Sequence, residues 1–161
     1  MNVKTFGAFA ALALLAACAT PADTSATAAN GTGGTLNSGG SVRPGSQEDL
    51  VANAGDRVFF ATNASSLSPD TRGTLDRQVA FLAQYPQDNV QLAGNCDERG
   101  TEEFNIALGQ RRANSARDYM VARGVAGSRV TTISYGKDRP TALGSDESAW
   151  QQNRNAITSV Q

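Results

Sequence analysis

The chain has 161 residues, of which 40% are hydrophobic and 18% charged, with a formal net charge of −1. That length allows one domain with some chain to spare, the apolar content is too low for a membrane bundle, and the mixed charges exclude a basic nucleic-acid footprint. Histidine is absent, which removes the commonest general base and the commonest metal ligand.

Lys4 supplies a positive start, and Phe6 to Ala17 is an unbroken run of apolar and small residues. Spanning a bilayer takes roughly 20 residues, so the run reads as the hydrophobic part of a secretory signal. It ends Leu15-Ala16-Ala17-Cys18, which resembles the lipobox of bacterial lipoproteins, where the cysteine is lipidated and becomes the first mature residue. Simple cleavage at an A-x-A site around Ala17-Cys18-Ala19 is the alternative. Residues 1–17 are therefore expected to be a signal peptide and Cys18 the lipidation site. One acyl chain binds marginally and several bind firmly. Ala19 rather than Asp follows the cysteine, and the lipobox resemblance then implies the outer membrane. With Cys18 lipidated, Cys96 has no disulfide partner and is expected to be a small semi-buried thiol.

From Ala19 to Ser46 the chain is rich in Ala, Thr, Ser and Gly. It cannot bury enough apolar surface to fold, so residues 18–46 are expected to carry the lipid and form a disordered tether. About 30 such residues would average roughly 30 Å end to end and reach about 100 Å when stretched.

The folded domain is expected over residues 47–161. A short helix covers Ser46 to Asn53, and Arg57 to Ala61 is β-branched and aromatic, hence a strand. Ser68-Pro69 is an N-cap followed by Pro at the first helical position. Leu75, Val79 and Leu82 mark one buried face of that helix, which Tyr85-Pro86 ends. Val90 to Ala93 reads as the second strand. Thr101 caps the next helix, with Glu102 and Glu103 in its first turn. Phe104, Leu108, Tyr119 and Met120 are placed on its inward face, and Gly124 stops it. Val130 to Tyr135 is a third strand, Glu147 to Gln152 a short helix with Trp150 as a packing residue, and Ala156 to Val160 a last strand. The order β-α-β-α-β-(α)-β implies an α+β fold, a mixed sheet with helices packed on one face.

GNCDERGTEEFNIALGQRRAN, from Gly94 to Asn114, carries the most chemistry. Asp97 stands in a polar turn that runs into a helix N-terminus, where unpaired N–H groups favour anions. Arg112 lies on that helix, and a guanidinium forks onto carboxylates. A ligand with an ammonium and a carboxylate on one carbon would satisfy both. Equally, Asp97 could cap the turn or pair with Arg112. Asp97 and Glu98 are adjacent carboxylates that could suggest a glycosidase, but such acids face each other at least about 5 Å apart across a bond, which sequence neighbours do only by chance. The serines have no visible base. No enzyme, cofactor or metal site is expected.

That stretch, SYGKDRP after it, and NR near the C-terminus resemble the OmpA-like peptidoglycan-binding family, in particular its lipoprotein members that act with the Tol proteins. The resemblance covers roughly Asp56 to Thr158. It implies noncovalent binding of peptidoglycan through the diaminopimelate of the peptide stem, an outer membrane tied to the cell wall from its periplasmic face, TolB and other Tol proteins as partners, and a part in envelope constriction at division. A lipoprotein with the same ligand but outside the Tol system is one alternative, and a peptidoglycan hydrolase, against which the lack of a catalytic pair argues, is the other. Carried over by position, the key acid falls on Asp97 and the key arginine on Arg112. Arg99, Thr101, Asn105 and Leu108 fall on supporting positions, Phe60 and Asn63 beside the site, and Arg111 on the surface or toward a partner. The chain departs from the pattern at three places. Asn95 stands where His is frequent, Asn63 where Asp is usual, which weakens the grip on an ammonium, and Asn155 where a second arginine follows Arg154.

Overall fold

The computed structural model describes residues 42–161. The signal segment, Cys18 and all but the last residues of the expected tether lie outside the described residues. Among the described residues the first regular element begins at Gln47. Ser46 N–H donates to the Arg43 carbonyl, and the Gly45 N–H reaches the Asp49 carboxylate at 2.8 Å.

The elements are α1 (Gln47–Asn53), β1 (Arg57–Phe59), α2 (Pro69–Gln84), β2 (Val90–Asn95), α3 (Glu102–Ala122), β3 (Val130–Gly136), α4 (Glu147–Asn153) and β4 (Asn155–Val160). The helix starts follow the local chemistry. Ser46, Ser68 and Thr101 each accept a backbone N–H from the first turn, satisfying an otherwise orphan donor. β1 is shorter than its apolar run. Phe60 leaves the strand, although its N–H still reaches the Arg154 carbonyl.

The sheet order is β1-β4-β2-β3. β2 and β3 run parallel, which requires a crossover, and α3 supplies it. β4 enters between β1 and β2, antiparallel to both. α2 and α3 cover one face, burying Leu75, Leu82, Val90, Leu92, Met120 and Ala156 between them and the strands. The fold is thus the α+β mixed sheet with helices on one side that the sequence implies.

The inward stripe of α3 differs from the expected one. It consists of Asn105, Leu108, Gly109, Arg112, Ala113, Ala116 and Met120, while Phe104 is 42% exposed and Tyr119 only partly buried. Small residues occupy the middle of the stripe because the helix lies directly on β2. A Cβ on Gly94 would fall within the Gly109 carbonyl group, and one on Gly109 would stand 2.8 Å from the Gly94 carbonyl oxygen and closer still to Ser134 Oγ. Phe104 lies to the side of that stripe. The inward place beside it goes to Asn105, whose amide has work in the loop before the helix.

Gly94→Ala and Gly109→Ala are each expected to lower the unfolding free energy by about 1–3 kcal/mol or more, because backbone on both sides cannot yield. Gly73→Ala, with open space where its Cβ would go, should instead raise it by about 0.5–1 kcal/mol. Urea midpoints at constant slope read all three.

Candidate functional site

The site forms where β2 runs into α3. The register of β2 on β3 shifts between Gly94 and Asn95, a local bulge of the kind that re-aims side chains. Cys96 N–H then donates to the Gly136 carbonyl at 2.7 Å, holding the chain as it leaves the sheet. The next residue, Asp97, is only 7% exposed. Its carboxylate accepts four hydrogen bonds. Oδ1 takes the Arg99 backbone N–H and Arg99 Nε, both at 3.2 Å, and Oδ2 takes Arg99 Nη2 at 2.7 Å and Arg154 Nη1 at 3.4 Å. A carboxylate offers about four lone-pair positions, so these donors fill it. Burial pushes the Asp97 carboxyl up, but the Arg99 and Arg154 hydrogen bonds and the Arg99 charge outweigh it and hold the group below the usual aspartate range.

The turn from Asp97 to Thr101 is held from below. Asn105, buried one turn into α3, donates its amide to the Arg99 carbonyl at 2.8 Å and the Thr101 carbonyl at 3.0 Å. Lys137, from the SYGK block, donates to the Gly100 carbonyl at 3.0 Å. Thr101 is exposed and accepts the Phe104 N–H as the helix cap. Leu108 is buried on the same face of α3, one turn before Arg112.

Arg112 is 1% exposed and does not pair with Asp97. Its Nε donates to the Ala64 carbonyl at 2.9 Å, Nη2 to Ala61 at 3.1 Å, and Nη1 to Asn95 at 2.8 Å and to Cys96 Sγ at 3.4 Å. The side chain therefore bolts the 61–64 turn to the end of β2. Among the described residues, one Nη2 hydrogen has no acceptor. Its guanidinium lies 5.3 Å from the buried Phe60 ring. Asn63 is exposed in that turn at φ 53, a left-handed conformation that asparagine tolerates better than most residues. Arg111 is exposed, as expected.

Two residues belong to the site beyond the expected set. Arg154 is 5% exposed and spans three groups. Nε donates to the Phe60 carbonyl, Nη1 to Asp97, and Nη2 to Glu147 at 2.8 Å. The NR motif carried this signal. Trp150 is not simply a packing residue of α4. Its Nε1 donates to Glu98 at 3.0 Å, and the Arg99 guanidinium stacks 4.1 Å above its ring. No sequence spacing pairs Trp150 with Arg99, because the contact joins separate segments.

Two of the three departures from the family pattern meet each other. Asn95 Nδ2 donates to Asn155 Oδ1 at 2.8 Å, with both residues buried. Asn155 in turn donates to Thr141 Oγ1 and the Gln152 carbonyl. An arginine at 155 would replace both a donor and an acceptor of this small network. Cys96 is buried, its thiol donating to the Asn105 carbonyl and accepting from Arg112. Burial pushes its pKa up, against the pull of the Arg112 charge.

Comparison with known proteins places these features in context. The sequence matches the OmpA family over residues 59–154. A peptidoglycan-associated lipoprotein of Rhizobium meliloti (strain 1021) is 53% identical over 119 residues, which are 74% of this chain and 68% of that protein. The protein of the same name from Pasteurella multocida (strain Pm70) is 44% identical over 100 residues, 62% of this chain and 67% of the relative. The crystal structure of the peptidoglycan-associated lipoprotein from Burkholderia pseudomallei is similar at 38% identity and a TM-score of 0.64, covering 66% of this chain and 90% of that one. The C-terminal domain of Helicobacter pylori MotB shares the fold at 17% identity, with a TM-score of 0.62 over 66% of this chain and 84% of that one.

The raised pKa and burial of Cys96 predict that iodoacetamide leaves it unmodified in the native protein at neutral pH and alkylates it fully in urea. Mass spectrometry of the Cys96 peptide measures the difference.

Proposed function

The chain belongs to the OmpA family, and from that premise we propose that it is a lipoprotein of the outer membrane, anchored at Cys18, that binds peptidoglycan noncovalently through the diaminopimelate of the peptide stem. The observation that carries the reading is the Asp97 carboxylate, buried, kept ionised, and gripped in part by a surface side chain. Arg99 is the exposed partner and Arg154 the buried one, with side chains 39% and 7% accessible. An incoming ammonium group would take the places of the Arg99 fork, while Arg154 stays. The ligand carboxylate would go to Arg112. That guanidinium is shut behind the 61–64 turn, whose Ala61 and Ala64 carbonyls it already holds. Binding on this reading loosens the turn at Asn63, so that a carboxylate replaces carbonyl oxygens on the fork. Thr101, Asn105 and Leu108 position the loop and helix rather than touch the ligand, and Phe60 backs the arginine.

The relatives named peptidoglycan-associated lipoprotein support the ligand and the lipid anchor. We extend the resemblance to partners: TolB and the other Tol proteins, with a role in envelope constriction during division. Direct binding to purified TolB tests that extension. Among the described residues the site sets no nucleophile beside a base, and binding rather than catalysis is its proposed task.

Asp97→Asn, which keeps shape and removes charge, should cut pull-down by purified sacculi at least about tenfold, as expected for loss of a charge-assisted pair. Arg112→Lys, which keeps the charge but loses the fork, should do the same, with some loss of stability from the carbonyl contacts it gives up. Undiminished pull-down by both variants would reject the site. Because the Asp97 pKa is depressed in the folded chain, its contribution is complete above the ordinary aspartate value and lost as pH falls through the depressed one. Sacculus binding should therefore be the same at pH 7 and pH 5, and fall only below about pH 4. Cys18→Ser should release the protein from outer-membrane fractions.

A further inference from the structure

We propose that the groove along the outer edge of β1 is a second subsite, which takes the glycan strand of the polymer whose peptide stem occupies the Asp97–Arg112 site. The proposal rests on the peptidoglycan reading above. The groove has a volume of about 600 Å³, inside the roughly 300–1,000 Å³ range of small-molecule sites. Phe59 lines it from β1, Asp70 and Thr74 from the start of α2, and Gln151 and Gln152 from α4.

The groove begins where the first site ends. Ala61 lines it while its carbonyl holds Arg112, and Arg154 lines it while holding Asp97 and the Phe60 carbonyl. A polymer held at Asp97 has to leave the site over some surface, and this one adjoins it.

Its chemistry suits a neutral sugar. Phe59 is a large aromatic side chain left 44% exposed, a flat apolar platform for the carbon–hydrogen face of a sugar ring. Around it stand amides and hydroxyls, which both donate and accept, as sugar hydroxyls and acetamido groups do. The cations are spent, Arg57 on Asp56 and Arg154 on Asp97 and Glu147, and the remaining charge in the lining, the Asp70 carboxylate, is an acceptor for sugar hydroxyls. An extended peptide fits less well. It would need the outward N–H and C=O groups of β1 as a ladder. The Phe59 carbonyl is already taken by Thr71 Oγ1 at 2.9 Å, and the Phe60 N–H points inward to Arg154.

The test is calorimetry on the purified full chain in detergent, with two ligands. One is the diaminopimelate-containing stem tripeptide, and the other is the same tripeptide on its N-acetylated disaccharide. The disaccharide form is expected to bind about five- to tenfold tighter, the worth of one good aromatic contact. Phe59→Ala and Gln151→Ala, both at exposed positions, should remove most of that gain and leave affinity for the bare tripeptide unchanged. Equal affinity of the wild-type chain for both ligands, or a gain that survives Phe59→Ala, overturns the subsite. Asp97→Asn should lose both ligands. If the wild-type chain binds neither, the peptidoglycan reading itself falls.

Discussion

Everything at the site is placed by one contact, backbone on backbone, between β2 and α3. Gly94 and Gly109 carry no side chains, so the helix rests on the strand at a distance no other residue pair would allow. Asp97 follows Gly94 by three residues, and Arg112 follows Gly109 by one turn. Setting the two glycines against each other therefore fixes where the acid and the arginine emerge. The small residues Ala113 and Ala116 continue the same close approach along α3. A wider separation would take Arg112 away from the Asn95 and Cys96 atoms that hold its Nη1.

Around that fixed frame the guanidinium groups divide the work by burial. Arg112, itself buried, ties the Ala61 and Ala64 carbonyls of one turn to the Asn95 carbonyl at the end of β2. Arg154 joins β1, α4 and Asp97 from a buried position. Arg99 lies at the surface, propped on Trp150, and shares the same carboxylate. One anion is thus held by a permanent partner and by an exchangeable one. The Asn95–Asn155 pair lies behind this cluster without adding charge to it, so the site contains fewer cations than the family pattern implies.

Much of the fold was legible because its signals are local. Ser46, Ser68-Pro69 and Thr101 declare helix starts through chemistry within a single turn, and Tyr85-Pro86 declares an end. The strands were readable from apolar runs. Asp97 and its polar turn were readable too, since a short loop between strand and helix is where such an acid is useful. The failures concern relations between distant segments. Phe104 looks inward by hydrophobicity, yet the stripe is set by how closely α3 must approach β2. Direct pairing of Asp97 with Arg112, left open by the sequence as an alternative, does not form, because the Ala61, Ala64 and Asn95 carbonyls hold the guanidinium. Arg154 and Trp150 come to Asp97 and Arg99 from the other end of the chain.

The place of β4 has a consequence for how the domain comes into being. β1 is made early, but its one neighbour in the sheet is the last strand. The bond from Phe60 to Arg154 spans 94 positions. Until β4 is in place, β1 has no ladder and β2 is paired on one side only. Asp97 likewise has only Arg99 until Arg154 arrives. Sheet and Asp97 cluster are completed by the same final event, the arrival of β4 with Arg154 at its start. Non-local pairing of this kind folds slowly, which here keeps the chain open until its C-terminal strand is available.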